Sequence, residues 1–139
     1  MSSLDPALLQ AYRETRYEVS ADPPVILSIG AASAPLRALH QRFGVECSAF
    51  VSACNPFSRP VDAACNAARH AALRRELTAA GWAYLEGFGR HPANDWPAEA
   101  SLLVLGLALQ ASRRLGQHHQ QNALVWCGAD AVPQLVLLR

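Results

Sequence analysis

The chain has 139 residues, 51% hydrophobic and 17% charged, with a net charge of +1. That length supports one hydrophobic core, and the apolar fraction excludes an intrinsically disordered chain. The near-neutral balance argues against a nucleic-acid surface built on bulk electrostatics, and all 12 basic residues are arginine, a bias that a GC-rich genome produces without functional cause.

In chain order, Met1-Ser2-Ser3-Leu4 carries neither the basic nor the apolar region of a signal peptide, and the expected location is cytoplasmic. Asp5-Pro6 reads as an N-cap followed by proline at the first helical position, opening a short helix with Leu8, Leu9 and Tyr12 inward. Residues 16–20 and 25–29 read as strands joined by the turn-forming Ala21-Asp22-Pro23-Pro24. Ser33 caps a helix whose Leu36, Leu39, His40 and Phe43 share one face until Gly44 ends it. Residues 49–53 form a third strand, and a long helix over residues 60–80 stops at Gly81.

Residues 82–87 read as a fourth strand, followed by a Gly/Pro/Asn-rich loop over 89–97. The uninterrupted apolar run 101–105 fits a central strand buried on both faces. The longer stretch 102–111 is too short to span a bilayer and is broken by Gly106 and Gln110, so no membrane partner is expected. Leu109, Ser112 and Leu115 mark a short helix ended by Gly116, and residues 122–127 and 134–138 form a closing hairpin. Hairpins alternating with helical crossovers predict an α+β fold, with an α/β layered arrangement as the alternative. The expectation is one globular domain over residues 1–139, built on a single mixed sheet of about six to seven strands with helices packed on it.

The long helix carries the best candidate site. Leu73, Leu77 and Ala80 recur at the spacing of a buried face, and that face projects back onto Asp62, Asn66 and Arg69. The polar end lies at the helix N-terminus, where free N–H groups and the macrodipole favour an anion or a carbonyl oxygen. Just before it stands the turn Asn55-Pro56-Phe57-Ser58. Asn55 precedes proline and is biased to an extended backbone, and Ser58 is placed to cap the helix. Two readings stand for this turn: a ligand cradle, or ordinary turn and cap chemistry. Arg69 likewise either anchors an internal ion pair with Asp62, steadied by Asn66, or offers free donors to a carboxylate or phosphate.

Glu99 with Ser101, and Gln121 with Asn122, stand at expected strand ends. If they meet the Asn55 turn, the pocket holds one carboxylate, amides and a guanidinium, with Glu99 the candidate general acid/base. The candidate ligand-binding residues are therefore Asn55, Ser58, Asn66, Arg69, Glu99, Ser101, Gln121 and Asn122. No nucleophile elbow, P-loop or dinucleotide fingerprint is present, and no cofactor is assigned. Cys47, Cys54, Cys65 and Cys127 show no metal-ligand spacing and read as reduced thiols. His118 and His119 are adjacent, project differently and lack an acidic partner at ligand spacing, so they read as a solvated loop and no metal is assigned.

At Phe50-Val51-Ser52-Ala53, Asn55-Pro56-Phe57-Ser58, Asn66-Ala67-Ala68-Arg69, the segment from Trp96 to Ser101 and the segment from Gln121 to Trp126, the chain resembles the family termed domain of unknown function 3293. The resemblance runs nearly end to end and implies a small bacterial single-domain protein, with no activity attached. Cys54 departs from the aromatic expected there, and His118-His119-Gln120 departs from a Phe-Gly approach to the glutamine. The functional expectation is a small-molecule site for an anionic or amide-bearing ligand beside the 60–80 helix, whether or not it catalyses a reaction. The alternative is a non-catalytic protein-interaction module with a structural polar stripe. Oligomeric state is not legible.

Overall fold

A computed structural model describes residues 4–93 and 97–139. The expected 89–97 loop and the Trp96 of the family motif lie partly or wholly outside the described residues, as does the start of the chain. The order is α1 (Pro6–Glu14), β1 (Arg16–Val19), β2 (Val25–Leu27), α2 (Ala34–Phe43), β3 (Ser48–Val51), a 3₁₀ turn (Pro56–Ser58), α3 (Ala63–Ala79), β4 (Tyr84–Arg90), β5 (Glu99–Leu105), α4 (Leu109–His118), β6 (Ala123–Cys127) and β7 (Pro133–Leu137). Three helices open on side-chain caps: Asp5 accepts from Ala7 N–H at 2.8 Å, Ser33 from Leu36 N–H at 3.1 Å, and Asp62 from Cys65 N–H at 2.7 Å. Gly44 closes α2 at φ 65°, a conformation glycine adopts without steric cost.

The fold is α+β: seven strands make one sheet in the order β2-β1-β4-β5-β3-β6-β7, with the helices packed on it. Every neighbouring pair is antiparallel, which corrects the expected mixed sheet. The connections explain the difference. Hairpins join β1 to β2, β4 to β5 and β6 to β7, each to its neighbour. The crossovers through α3 (β3 to β4) and α4 (β5 to β6) do join strands running the same way, but a third, opposed strand lies between each pair. No parallel ladder results.

β5 is buried on both faces from Ser101 to Leu105, as its apolar run requires. Leu103 and Leu105 face one core with Phe50, Val125 and the Leu36 and Leu39 of α2. Leu102 and Val104 face the other with Ala49, Val51, Leu73 and Leu77, so α3 covers the second face. Three local expectations fail. Ala80, read on the buried face of the long helix, is exposed. Phe43 is exposed under the Arg42 guanidinium, and α2 ends its buried stripe on His40, bonded to Ser48 Oγ at 2.8 Å. Gly116 does not stop α4, which runs on to His118; a Cβ there would lie 2.5 Å from Leu138 Cδ1 and 3.1 Å from Leu124 Cδ2. Glycine serves close packing of α4 on the sheet rather than a helix end. Among the described residues, no helix is long and apolar enough to cross a membrane.

Candidate functional site

After β3 the chain turns sharply into the 3₁₀ segment, with Asn55, Phe57 and Ser58 all at positive φ (47°, 54° and 59°). Asn55 is thus left-handed rather than extended; asparagine tolerates that region, whereas phenylalanine is strained there. The turn is held from α3. Asn66 Oδ1 accepts the Asn55 N–H at 2.9 Å, and Asn66 Nδ2 donates to Asn55 Oδ1 at 2.9 Å. Asn55 Oδ1 also accepts from Val61 N–H at 3.2 Å. This leaves the Asn55 amide nitrogen to donate to Glu99 Oε2 at 3.1 Å, across 44 residues of sequence.

Glu99 begins β5 and is part-buried. Burial pushes its carboxyl above the usual carboxylate range, while the hydrogen bond from Asn55 and the Ser52 hydroxyl pull it partly back. Among the described residues no cationic side chain pairs with it. Ser52 Oγ is fixed nearby, donating to Ala100 O at 3.0 Å and accepting from Cys54 N–H at 3.0 Å. Burial also raises the Cys54 thiol, which suits an inert packing residue better than a nucleophile.

Arg69 is brought to the same corner with different partners. Its Nε donates to Ala53 O at 2.6 Å, and Nη2 donates to His119 O at 3.1 Å and Gln120 Oε1 at 3.3 Å. Gln121, buried, adds Nε2 bonds to Cys54 O and His119 O, each at 3.1 Å. The expected ion pair of Arg69 with Asp62 does not form, because Asp62 is the exposed cap of α3. That also removes Ser58 from the capping role.

Ser58 belongs to a second network. Its Oγ makes a short hydrogen bond with Tyr12 Oη and accepts from Asn122 Nδ2 at 3.1 Å. Asn122 Oδ1 accepts from Arg139 Nη1 at 3.3 Å, and the Arg139 guanidinium lies 4.3 Å from the Phe57 ring centroid. Ser101 joins neither network; it is buried within β5 and bonds the Glu99 carbonyl at 3.2 Å. Two surface hollows, of about 360 and 270 Å³, are lined by α2, the segments on either side of it and Ala129 rather than by this turn.

Two clusters escape the sequence reading. His70 continues the Asn66–Leu73 stripe, and its Nε2 meets Glu86 Oε1 at 2.9 Å while Arg74 Nε donates to Glu86 Oε2 at 2.8 Å. Burial alone would raise Glu86, but these two partners hold it below the usual range. The stripe spacing points to His70; Glu86 comes from a strand that only folding brings close. His118 and His119 are not a solvated loop. They end and cap α4, and their Nε2 atoms lie 3.4 Å from Glu76 Oε1 and 3.1 Å from Glu76 Oε2. The acidic partner absent from the local sequence is supplied by α3.

No curated protein and no solved structure matches the chain. A family model, described as protein of unknown function (DUF3293), matches residues 51–124, a span that holds the Asn55 turn, Asn66, Arg69, Glu99 and Gln121. With more than half of its length matched, the chain belongs to that family.

Proposed function

We propose that the Asn55 turn and the head of β5 form a small-molecule site for a ligand bearing an amide or carboxyl group. The observation that carries this reading is Glu99: a desolvated carboxyl held by neutral donors, with no cation among the described residues. Burying a carboxyl in this way opposes folding unless it becomes neutral. In its protonated form the carboxyl offers one O–H donor and one carbonyl acceptor side by side, the complement of an amide or another carboxyl. The Asn55 amide, locked by Asn66, orients it. Phe57 and Ser58, at positive φ in the adjoining turn, add strain of the kind that accumulates at functional sites. In this reading Arg69, Asn66 and Gln121 hold the walls, and Ser58 and Asn122 supply neighbouring donors and acceptors. If the bound molecule reacts, Glu99 is the acid/base, its proton affinity raised by burial. The same proposal keeps the protein in the cytoplasm, which the four unpaired cysteines support.

A thermal-shift panel of small primary amides and carboxylic acids tests it, because a ligand selective for the native state raises its melting point. At least one compound should stabilise the parent and bind Glu99→Leu about tenfold more weakly, a loss of about 1.4 kcal/mol. No stabilising compound, or equal binding by Glu99→Leu, overturns the reading. The alternative, a protein-interaction module, is supported by Ile26, 51% exposed on the edge strand β2. Under it, Ile26→Lys weakens partner binding and no small molecule shifts the melting point.

A further inference from the structure

We infer that Glu76, His118 and His119 form a binding site for a divalent metal ion of the zinc class. The three side chains offer one carboxylate and two imidazole ligand atoms, all within 4.8 Å of one another. His118 Nε2 lies 3.4 Å from Glu76 Oε1, and His119 Nε2 lies 3.1 Å from Glu76 Oε2, where it is hydrogen-bonded. Both rings already converge on one carboxylate at a spacing close to that of neighbouring ligands on one ion. Zinc–ligand bonds of about 2.0–2.2 Å set neighbouring ligand atoms about 3.3 Å apart.

Adjacent histidines within a helix point roughly 100° apart and do not normally share an ion. Here the second lies just past the last helical residue, at φ −91° and ψ 15°, and the rings meet edge to face with centroids 5.0 Å apart. Both ring tips therefore reach one carboxylate. The main chain of His119 is also held independently of its ring: Arg69 Nη2 and Gln121 Nε2 both donate to His119 O at 3.1 Å. The His119 side chain is 11% exposed and that of His118 is 70% exposed, so one ligand is preset and the other faces solvent. The C-terminal end of α4 adds a helix-dipole field that favours a cation. Two histidines and one glutamate fill three positions of a tetrahedral ion and leave the fourth for water or a ligand. This inference does not depend on the Glu99 site.

The test uses the full chain without an affinity tag, stripped with a chelator. Cobalt(II) titration, followed by visible absorption, should give tetrahedral bands saturating at one ion per chain, and zinc should displace them. Glu76→Gln, His118→Ala and His119→Ala should each weaken zinc binding at least tenfold in competition with a chromophoric chelator. His118→Ala is the decisive variant, because its ring is mostly in solvent and its loss leaves the fold intact. His91→Ala, which removes a histidine paired with Glu14 elsewhere, should bind as the parent does. Absence of stoichiometric cobalt bands, or parent-like zinc affinity in His118→Ala, overturns the site.

Discussion

Arg69 and Glu99 stand at the same corner of the molecule, and they differ in how fully their hydrogen bonds are met. Arg69 donates to the carbonyls of Ala53 and His119 and to the amide of Gln120, so its guanidinium ties α3 to two loops. Glu99 has neutral donors for company and a proton affinity raised by burial. Neither has a counter-charge: Arg69 is braced by three acceptors from two segments, whereas Glu99 takes its amide donor from Asn55 alone and desolvation dominates its surroundings, which opposes folding. Within one polar cluster, the partners of each group distinguish support from candidate chemistry.

The scale for this contrast is set by Leu77, 2% exposed under the second sheet face, and Leu77→Ala should cost about 3 kcal/mol in a urea melt. Arg69→Met should follow at about 2 kcal/mol, since it strands two carbonyls that the arginine serves. Unchanged stability in Arg69→Met would break the comparison, because the side chain would then be held in place at no structural benefit.

Glu99→Gln should move the other way, stabilising the protein by roughly 0.5–1 kcal/mol at pH 7.5, as relief at functional positions often does. A loss of stability instead would make Glu99 a second brace and erase the distinction. The smallest effect is the pH dependence of that gain. Because the folded Glu99 carboxyl titrates above its unfolded value, its contribution is fully present below the unfolded pKa and is lost as pH rises through the folded one. The Glu99→Gln advantage should therefore fade at acid pH, where the parent carboxyl is protonated in both states. Glu86 has the reverse sign: its lowered proton affinity contributes stability at neutral pH that is lost as pH falls through its folded pKa. Melts from pH 4 to 8 on the parent, Glu99→Gln and Glu86→Gln separate the two slopes.

The sequence by itself determined the segments and their buried faces. Asp5, Ser33 and Gly44 are legible as caps, the 101–105 run as a central strand, and Leu73 and Leu77 as the core face of the long helix. The same stripe singled out Asn66 and Arg69, which bond the segment that follows β3, but also Asp62 and Ala80, which are exposed. These features depend on local sterics and on the periodicity of helix and strand, which neighbouring residues carry in full. Only the tertiary structure decided the partners. The insertion of β3 between β5 and β6 removed every parallel pair and brought Glu99 to Asn55. Arg69 bonds main-chain carbonyls, which no side-chain pattern encodes, and Asp62 turned to its own helix end instead. Gly116 looked like a stop because glycine commonly ends helices, yet it is there to admit Leu138. Glu76 reaches His118 and His119 across 42 and 43 positions of sequence because α3 and α4 pack on the same sheet face. Hydrogen bonds and ligand sets are fixed by distances between segments, and those distances exist only once strand order and helix packing are set.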